Sequence, residues 1–333
     1  MAAVLDAPEA PIITTRVPPA SRLPSSLRFV LLCLMSFSLS MLFNSMIADF
    51  AGYELAAVSR EVREEGQIYV TLGWKFATLS AAWYAGYDWQ DIAALAILCN
   101  LPYYYLLTTF YNISVFSSSI ALLIDISAIA IPFSLLRPLI HAHDPEGHSP
   151  NQQVAKDRYL NTLVAILGAT VYALVIYGSL YTWLPVYLVQ NFDGIVSLER
   201  AHDANVLMLL LYFLPIGWST SRFLFMAAIG SRGNPGLTDP DIYPEKVDFD
   251  PETATFTDTL AFNLGFGTNG FSKRAEVLGK RTMVLVAASV INTFVRTVLT
   301  IAGSEPVGSL GWASVWGVAA VLTGLAFAWT GNE

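Results

Sequence analysis

The sequence predicts an all-α integral membrane protein, a bundle of about eight transmembrane helices. Three observations predict it: charge is scarce, apolar runs near the length of a membrane span recur, and Lys and Arg are placed lopsidedly. Hydrophobic residues make up 54% of the 333-residue chain and charged residues 13%, against roughly 25% charged in soluble domains. The mean hydropathy is +0.52. A soluble fold of this length needs more charge to cover its surface, whereas a chain solvated by lipid can turn apolar side chains outward.

The apolar runs lie at about 28–48, 67–86, 92–111, 114–136, 161–184, 205–229, 282–302 and 310–330. Each approaches the roughly 20 residues that a helix needs to cross about 30 Å of hydrocarbon. The second is the weakest, because Lys75 stands at its centre. The third and fourth are separated by almost nothing, which demands a tight antiparallel hairpin near Asn112. Pro102 and Pro215 fall inside runs and predict kinks; Pro132 and Pro185 fall near ends and predict terminations. Tyr and Trp collect near run ends (Tyr84, Tyr87, Trp89, Tyr111, Tyr181, Trp183, Tyr187, Trp312, Trp329), as at headgroup depth.

Four segments follow from these runs. Residues 1–27 are polar and Pro-rich and read as a disordered cytosolic arm. Residues 28–230 carry transmembrane helices one to six. Residues 231–281 form a cytosolic loop, largely irregular, and 282–333 carry helices seven and eight with a short tail. The segment 49–66 reads as a short amphipathic helix on the outer side, with Phe50, Tyr53, Ala57 and Val58 at helical spacing.

The basic residues test this topology independently, since cytosolic segments carry the excess of Lys and Arg. With eight spans and the N-terminus inside, the inner segments hold Arg16, Arg22 and Arg28, then Arg137, Lys156 and Arg158. They also hold Arg232, Lys246, Lys273, Arg274, Lys280 and Arg281. The outer segments hold Arg60, Arg63 and Arg200. Dropping the second span moves both basic loops outside and destroys the bias. Six spans, without the second and third, keep the parity and are the main rival. Both termini are thus expected in the cytosol, in an endomembrane such as the endoplasmic reticulum or in the plasma membrane.

Charges inside spans are costly and carry the functional expectations. Lys75 and Asp125 lie near the middle of their spans, so the economical expectation is a Lys75–Asp125 pair between helices two and four, either fixing packing or lining a polar cavity. Arg222 and Arg296 lie nearer span ends and can snorkel to headgroups. Asn100 and Asn292 add polar groups within spans that can hydrogen-bond between helices. Lys273, Arg274, Lys280 and Arg281, just cytosolic of the seventh span, are expected to meet anionic headgroups at about 1 kcal/mol each.

Other motifs lead to no site. The stretch 139–150 holds His141, His143 and His148 with Asp144 and Glu146, but its Pro and Gly leave nothing to set ligand geometry, so it reads as a solvated loop and no metal is expected. Gly265, Gly267 and Gly270 match G-x-G-x-x-G without room for a βαβ unit. Asp239/Asp241 and Asp248/Asp250 are the pairs that an acidic, Pro-rich linker produces freely. Asn112-Ile-Ser114 is a sequon too near the bilayer to be an acceptor. Cys33 and Cys99 lie in apolar runs and read as packing residues.

The net charge of -8 argues against nucleic acid. Expected partners are the bilayer and proteins docking on the cytosolic loops; no cofactor is expected. The intramembrane charges favour a transporter or channel-like protein for ions, small solutes or lipids, with its site at the Lys75/Asp125 level. The alternative is a non-catalytic membrane scaffold or assembly factor, and a membrane enzyme comes third for want of a catalytic motif.

Overall fold

The computed structural model describes residues 23–48, 52–60, 65–140, 143, 157–230, 254–267 and 270–330. The arm up to residue 22, His141, His148 and the acid pairs at 239–250 lie outside the described residues. In chain order the helices are α1 (Ser25–Ile47), α2 (Tyr53–Val58), α3 (Glu65–Tyr84), α4 (Trp89–Phe110), α5 (Val115–Leu136), α6 (Arg158–Tyr181) and α7 (Leu184–Asn191). They continue with α8 (Glu199–His202), α9 (Val206–Tyr212), α10 (Leu214–Thr220), a π-helical segment Ser221–Met226 and α11 (Ala227–Gly230). After α12 (Phe256–Asn263), the two-residue strands β1 (Phe266–Gly267) and β2 (Gly270–Phe271) precede α13 (Lys273–Thr300) and α14 (Pro306–Thr330).

Six of these helices, α1, α4, α5, α6, α13 and α14, are long and apolar enough to cross a membrane. The bent unit from Val206 to Ile229, with a 57° angle at its break, would make seven. The helix α3 has the length, 20 residues, but Gln67 and Lys75 dilute its apolarity. The expected count of about eight is therefore six or seven by length and composition.

The prolines act through the backbone groups they free. Pro102 sits inside an unbroken α4. It has no N–H for the carbonyl of Leu98, which receives the Ser289 hydroxyl instead (3.5 Å), and Asn292 donates to the neighbouring Cys99 carbonyl (2.8 Å). Pro132 does not end its helix, which runs on to Leu136. Pro185 and Pro215 each stand in the first turn of a new helix, where the missing N–H costs nothing. Side-chain caps define other starts: Asp88 accepts from Asp91 N at α4, Ser114 from Ser117 N at α5, Ser272 from Ala275 N at α13.

The loops meet at two opposite ends of the bundle. At one end, Ser59 bridges Ile301, Phe192 bridges Ser304, and Arg200 donates to the Thr108 carbonyl (2.5 Å). Ser114 N there donates to Glu54 (3.1 Å). At the other end, Arg137 donates to the Trp83 carbonyl (2.7 Å), Arg281 reaches Asp91 and the Phe223 carbonyl, and Arg274 donates to the Phe327 carbonyl (2.9 Å). The helix α3 therefore runs from one end to the other, as does the broken α9–α10 unit. The start of α1, where Phe29 packs on Trp83 and Tyr84, and the end of α14 share the second end.

At the centre stands α4, buried on nearly all sides, its polar Asp91, Asn100, Thr108 and Thr109 included. Tyr105 stacks on Trp312 (6.2 Å, 8°) and meets Trp316 edge-on (5.9 Å). The α6–α10 crossing depends on Gly217, where a Cβ would fall on the Ala165 carbonyl oxygen and 2.7 Å from Ala169 N. Such close backbone approach is how small residues let apolar helices pack. Gly217→Val should therefore destabilise the detergent-solubilised protein by about 2 kcal/mol or more, read as a lowered unfolding temperature; an unchanged temperature would refute this account of the crossing.

Candidate functional site

Two polar clusters lie in this frame. The first joins α4, α5 and α13, because residues four apart share a helix face and both Asn100/Tyr104 and Asn292/Arg296 have that spacing. Arg296 Nη1 donates to Asp125 Oδ2 (2.5 Å) and Asn100 Oδ1 (2.7 Å), and its Nη2 to the Tyr104 hydroxyl (2.7 Å). Tyr104 donates in turn to Asp125 Oδ2 (2.7 Å). Asn292 Nδ2 also reaches Asn100 Oδ1 (3.1 Å), and Asn292 Oδ1 accepts from Trp74 Nε1 of α3 (3.0 Å). The guanidinium lies over the rings of Tyr103 and Tyr104, 4.3 and 4.7 Å from their centroids.

This arrangement changes the expected pairing. Asp125 pairs with Arg296, and Lys75 makes no ion pair with it among the described residues; the Lys75 ammonium lies 5.4 Å from the Phe37 ring centroid. The reason is geometric. A guanidinium offers five donors in a rigid fork, and α13 packs directly on α4, beside α5. The helix α3 is held through aromatic contacts with α1, such as Phe76 on Phe29 (5.8 Å), and through the long reach of Trp74. Arg296 therefore turns inward rather than snorkelling. Arg222, in the π-helical segment, lies 5.5 Å from the ring centroid of Trp218.

The second cluster closes the end of the bundle where α4 and α13 begin. Asp88 Oδ1 caps α4, while its Oδ2 accepts from Ile140 N (3.2 Å) and contacts His143 Nδ1 (2.7 Å). Asp91 is held by both Arg281 guanidinium nitrogens (2.6 and 2.9 Å), and Arg281 also donates to the Phe223 carbonyl. The ligand atoms of Asp88, Asp91 and His143 lie within 4.8 Å of one another, a donor set with metal chemistry. Arg281 already supplies the positive charge there and occupies both Asp91 oxygens, so the cluster reads as an ion-paired clasp.

Sequence reasoning missed this clasp. Asp88 and Asp91, three apart at the start of a span, carried a capping signal that could have found half of it. His143 belongs to the stretch read as solvated, yet its side chain is 2% exposed. Of the four basic residues expected at headgroups, Arg281 and Arg274 are turned onto protein partners. Lys280 is 73% exposed and pairs with Glu276 (2.5 Å), and the Lys273 side chain lies outside the description.

Burial pushes the Asp88 carboxyl up, but the hydrogen bonds from His143, Asp91 N and Ile140 N, with the His143 charge, outweigh it and hold the acid below its ordinary range. A depressed folded-state value contributes stability that is complete above the unfolded value of about 3.9 and is lost as pH falls through the folded one. Thermal unfolding between pH 7 and 3 should thus show a steeper acid loss for the native chain than for Asp88→Asn; parallel curves would refute the assignment. For the first cluster, Asp125→Asn should cost about 3 kcal/mol by leaving Arg296 unpaired. The apolar double variant Asp125→Leu/Arg296→Met should recover most of it, and Lys75→Met should cost less than either single change. Denaturation of the purified variants checks the order.

Residues 157–295 match the family model of the Bouquet formation protein 3 C-terminal domain. The match covers less than half of the chain. It includes Arg222, Arg281 and Asn292 and stops one residue before Arg296. No match was found among curated proteins or among solved structures.

Proposed function

We propose that this chain is a multi-pass membrane scaffold or assembly protein, in the nuclear envelope or the endoplasmic reticulum membrane continuous with it. The similarity of residues 157–295 to a bouquet-formation domain supports the location and a role exercised through protein partners. It gives no support to transport. In this reading all eight end-to-end passes, α3 and the broken α9–α10 unit included, cross the bilayer. The N-terminal arm, the 137–157 segment, the 231–272 segment and the C-terminal tail then share the cytosolic side, where the basic excess lies.

One observation carries the choice between scaffold and transporter. Arg296 and Asp125 answer one another: with Tyr104, Asn100 and Asn292 they form one hydrogen-bonded set. A transport site must offer groups to a cargo, whereas here the donors and acceptors fix the mutual placement of α4, α5 and α13. Such polar contacts between helices in lipid are worth about 0.6 kcal/mol each, enough to select one packing from several without creating a binding site.

The test separates these roles. In cells lacking the chain, clustering of chromosome ends at the nuclear envelope in meiosis should fail. It should return with both the native protein and the Asp125→Leu/Arg296→Met double variant, because the Asp91–Arg281 pair and the Asn100–Asn292 bond still set the packing. A double variant present at native levels in the correct membrane that still fails to restore clustering would overturn the reading. So would a flux through the purified protein in liposomes that this variant abolishes.

A further inference from the structure

We propose that α12 is a membrane-surface helix that seats Phe256 and Leu260 in the headgroup–acyl boundary of the leaflet on the side where α13 begins. The segment from 256 to 271 carries four phenylalanines, Phe256, Phe262, Phe266 and Phe271, between an acidic linker and the basic start of α13. Its helix is well defined. Thr255 and Asp258 form a capping box, the Thr255 hydroxyl accepting from Asp258 N (3.3 Å) and the Asp258 carboxylate from Thr255 N (3.0 Å). Phe256 and Leu260, one turn apart on one face, are 81% and 38% exposed, while Ala261, Phe262 and Asn263 are half-buried.

The depth of this face identifies what covers it. The turn after α12 is seated on the bundle: Leu264 and Gly265 gather with Arg274, Leu278 and Ala328, and a Cβ on Gly265 would lie 2.7 Å from that of Ala275. Those neighbours are the first turns of α13 and the last turn of α14, where two spans end. An aromatic side chain at that level has the headgroup region beside it, and a short amphipathic helix there lays its apolar face into the interface. The headgroup contact expected of four basic residues thus passes mainly to an apolar face that charge counting does not reveal.

This inference rests on the membrane reading above, and the experiment keeps the two apart. Cys33 and Cys99, both buried, are replaced by Ala in the full chain. Single cysteines are then placed at Phe256, Leu260, Thr257 or Leu123, labelled with a nitrobenzoxadiazole fluorophore, and reconstituted in phosphatidylcholine–phosphatidylserine vesicles. Leu123, exposed on α5, reports the span itself. Lipid carrying a shallow nitroxide should quench labels at 256 and 260 about threefold more than at 257, with aqueous iodide giving the reverse order. Quenching at 123 but equal iodide access at 256 and 257 would overturn the surface helix alone. Protection of 256 from both quenchers would replace the lipid by a protein partner or a second copy and overturn it as well. Absence of lipid quenching at 123 would overturn the membrane reading.

Discussion

The guanidinium of Arg296 is packed among α4, α5 and α13, where an unpaired charge is costly, and three acceptors meet it there. Its acceptors come from α4 and α5, and that requirement fixes how α13 lies against α4. The two helices run in the same direction with nearly constant register. Asp91 and Arg281 are 190 positions apart, Leu98 and Ser289 191, Asn100 and Asn292 192, and Tyr104 and Arg296 192. A slip of one residue would rotate each partner by about 100° around its helix and leave both arginines without carboxylates. Apolar packing alone tolerates many registers, because one Leu is much like another to its neighbour. Two charged rungs and the asparagines between them tolerate one.

Much of this was legible in the sequence, and the rest was hidden for a definite reason. The spans α1, α4, α5, α6 and α14 follow from apolar runs, the α4–α5 hairpin from the short gap at Asn112, and the shared end of the α1 start and the α14 finish from the asymmetry of Lys and Arg. Local rules failed in small ways: α13 begins at Lys273, nine residues before its apolar run, because the Ser272 cap and Glu276 in the first turn favour a helix there. The partner of Asp125 was not legible. Depth along a span says which residues share a level, and Lys75 does share it. Which helices are neighbours is a separate matter, and parallel neighbours such as α4 and α13 are distant in sequence. By position Arg296 can snorkel from the end of its helix, and nothing in one sequence shows that its helix face is turned inward. Likewise His143 lies in a His-rich stretch whose Pro and Gly set no geometry, and its side chain is buried because Asp88 and the α5 end converge there.

The clasp and the central cluster divide the work of specifying the bundle. The clasp joins four segments at one end: the α3–α4 turn, the chain leaving α5, the π-helical segment near Phe223 and the start of α13. The central cluster joins helices at mid-bundle. Hydrogen-bonded charges at two levels set both the register and the rotation of α13, a condition that suits a protein whose output is a fixed surface. A transporter that alternates between conformations would have to break several of these bonds together in each cycle.

The family match cuts across both clusters. Residues 157–295 bring Arg281 and Asn292, but Asp91, Asn100, Tyr104 and Asp125 come from the preceding part of the chain. A bundle made of the matched segment alone would bury Arg281 with no carboxylate, and the cost of an uncompensated buried charge, about 3–5 kcal/mol, is a large part of the stability of an ordinary domain. The segment resembling a bouquet-formation domain is therefore half of a structural unit, completed by acceptors that α4 and α5 supply.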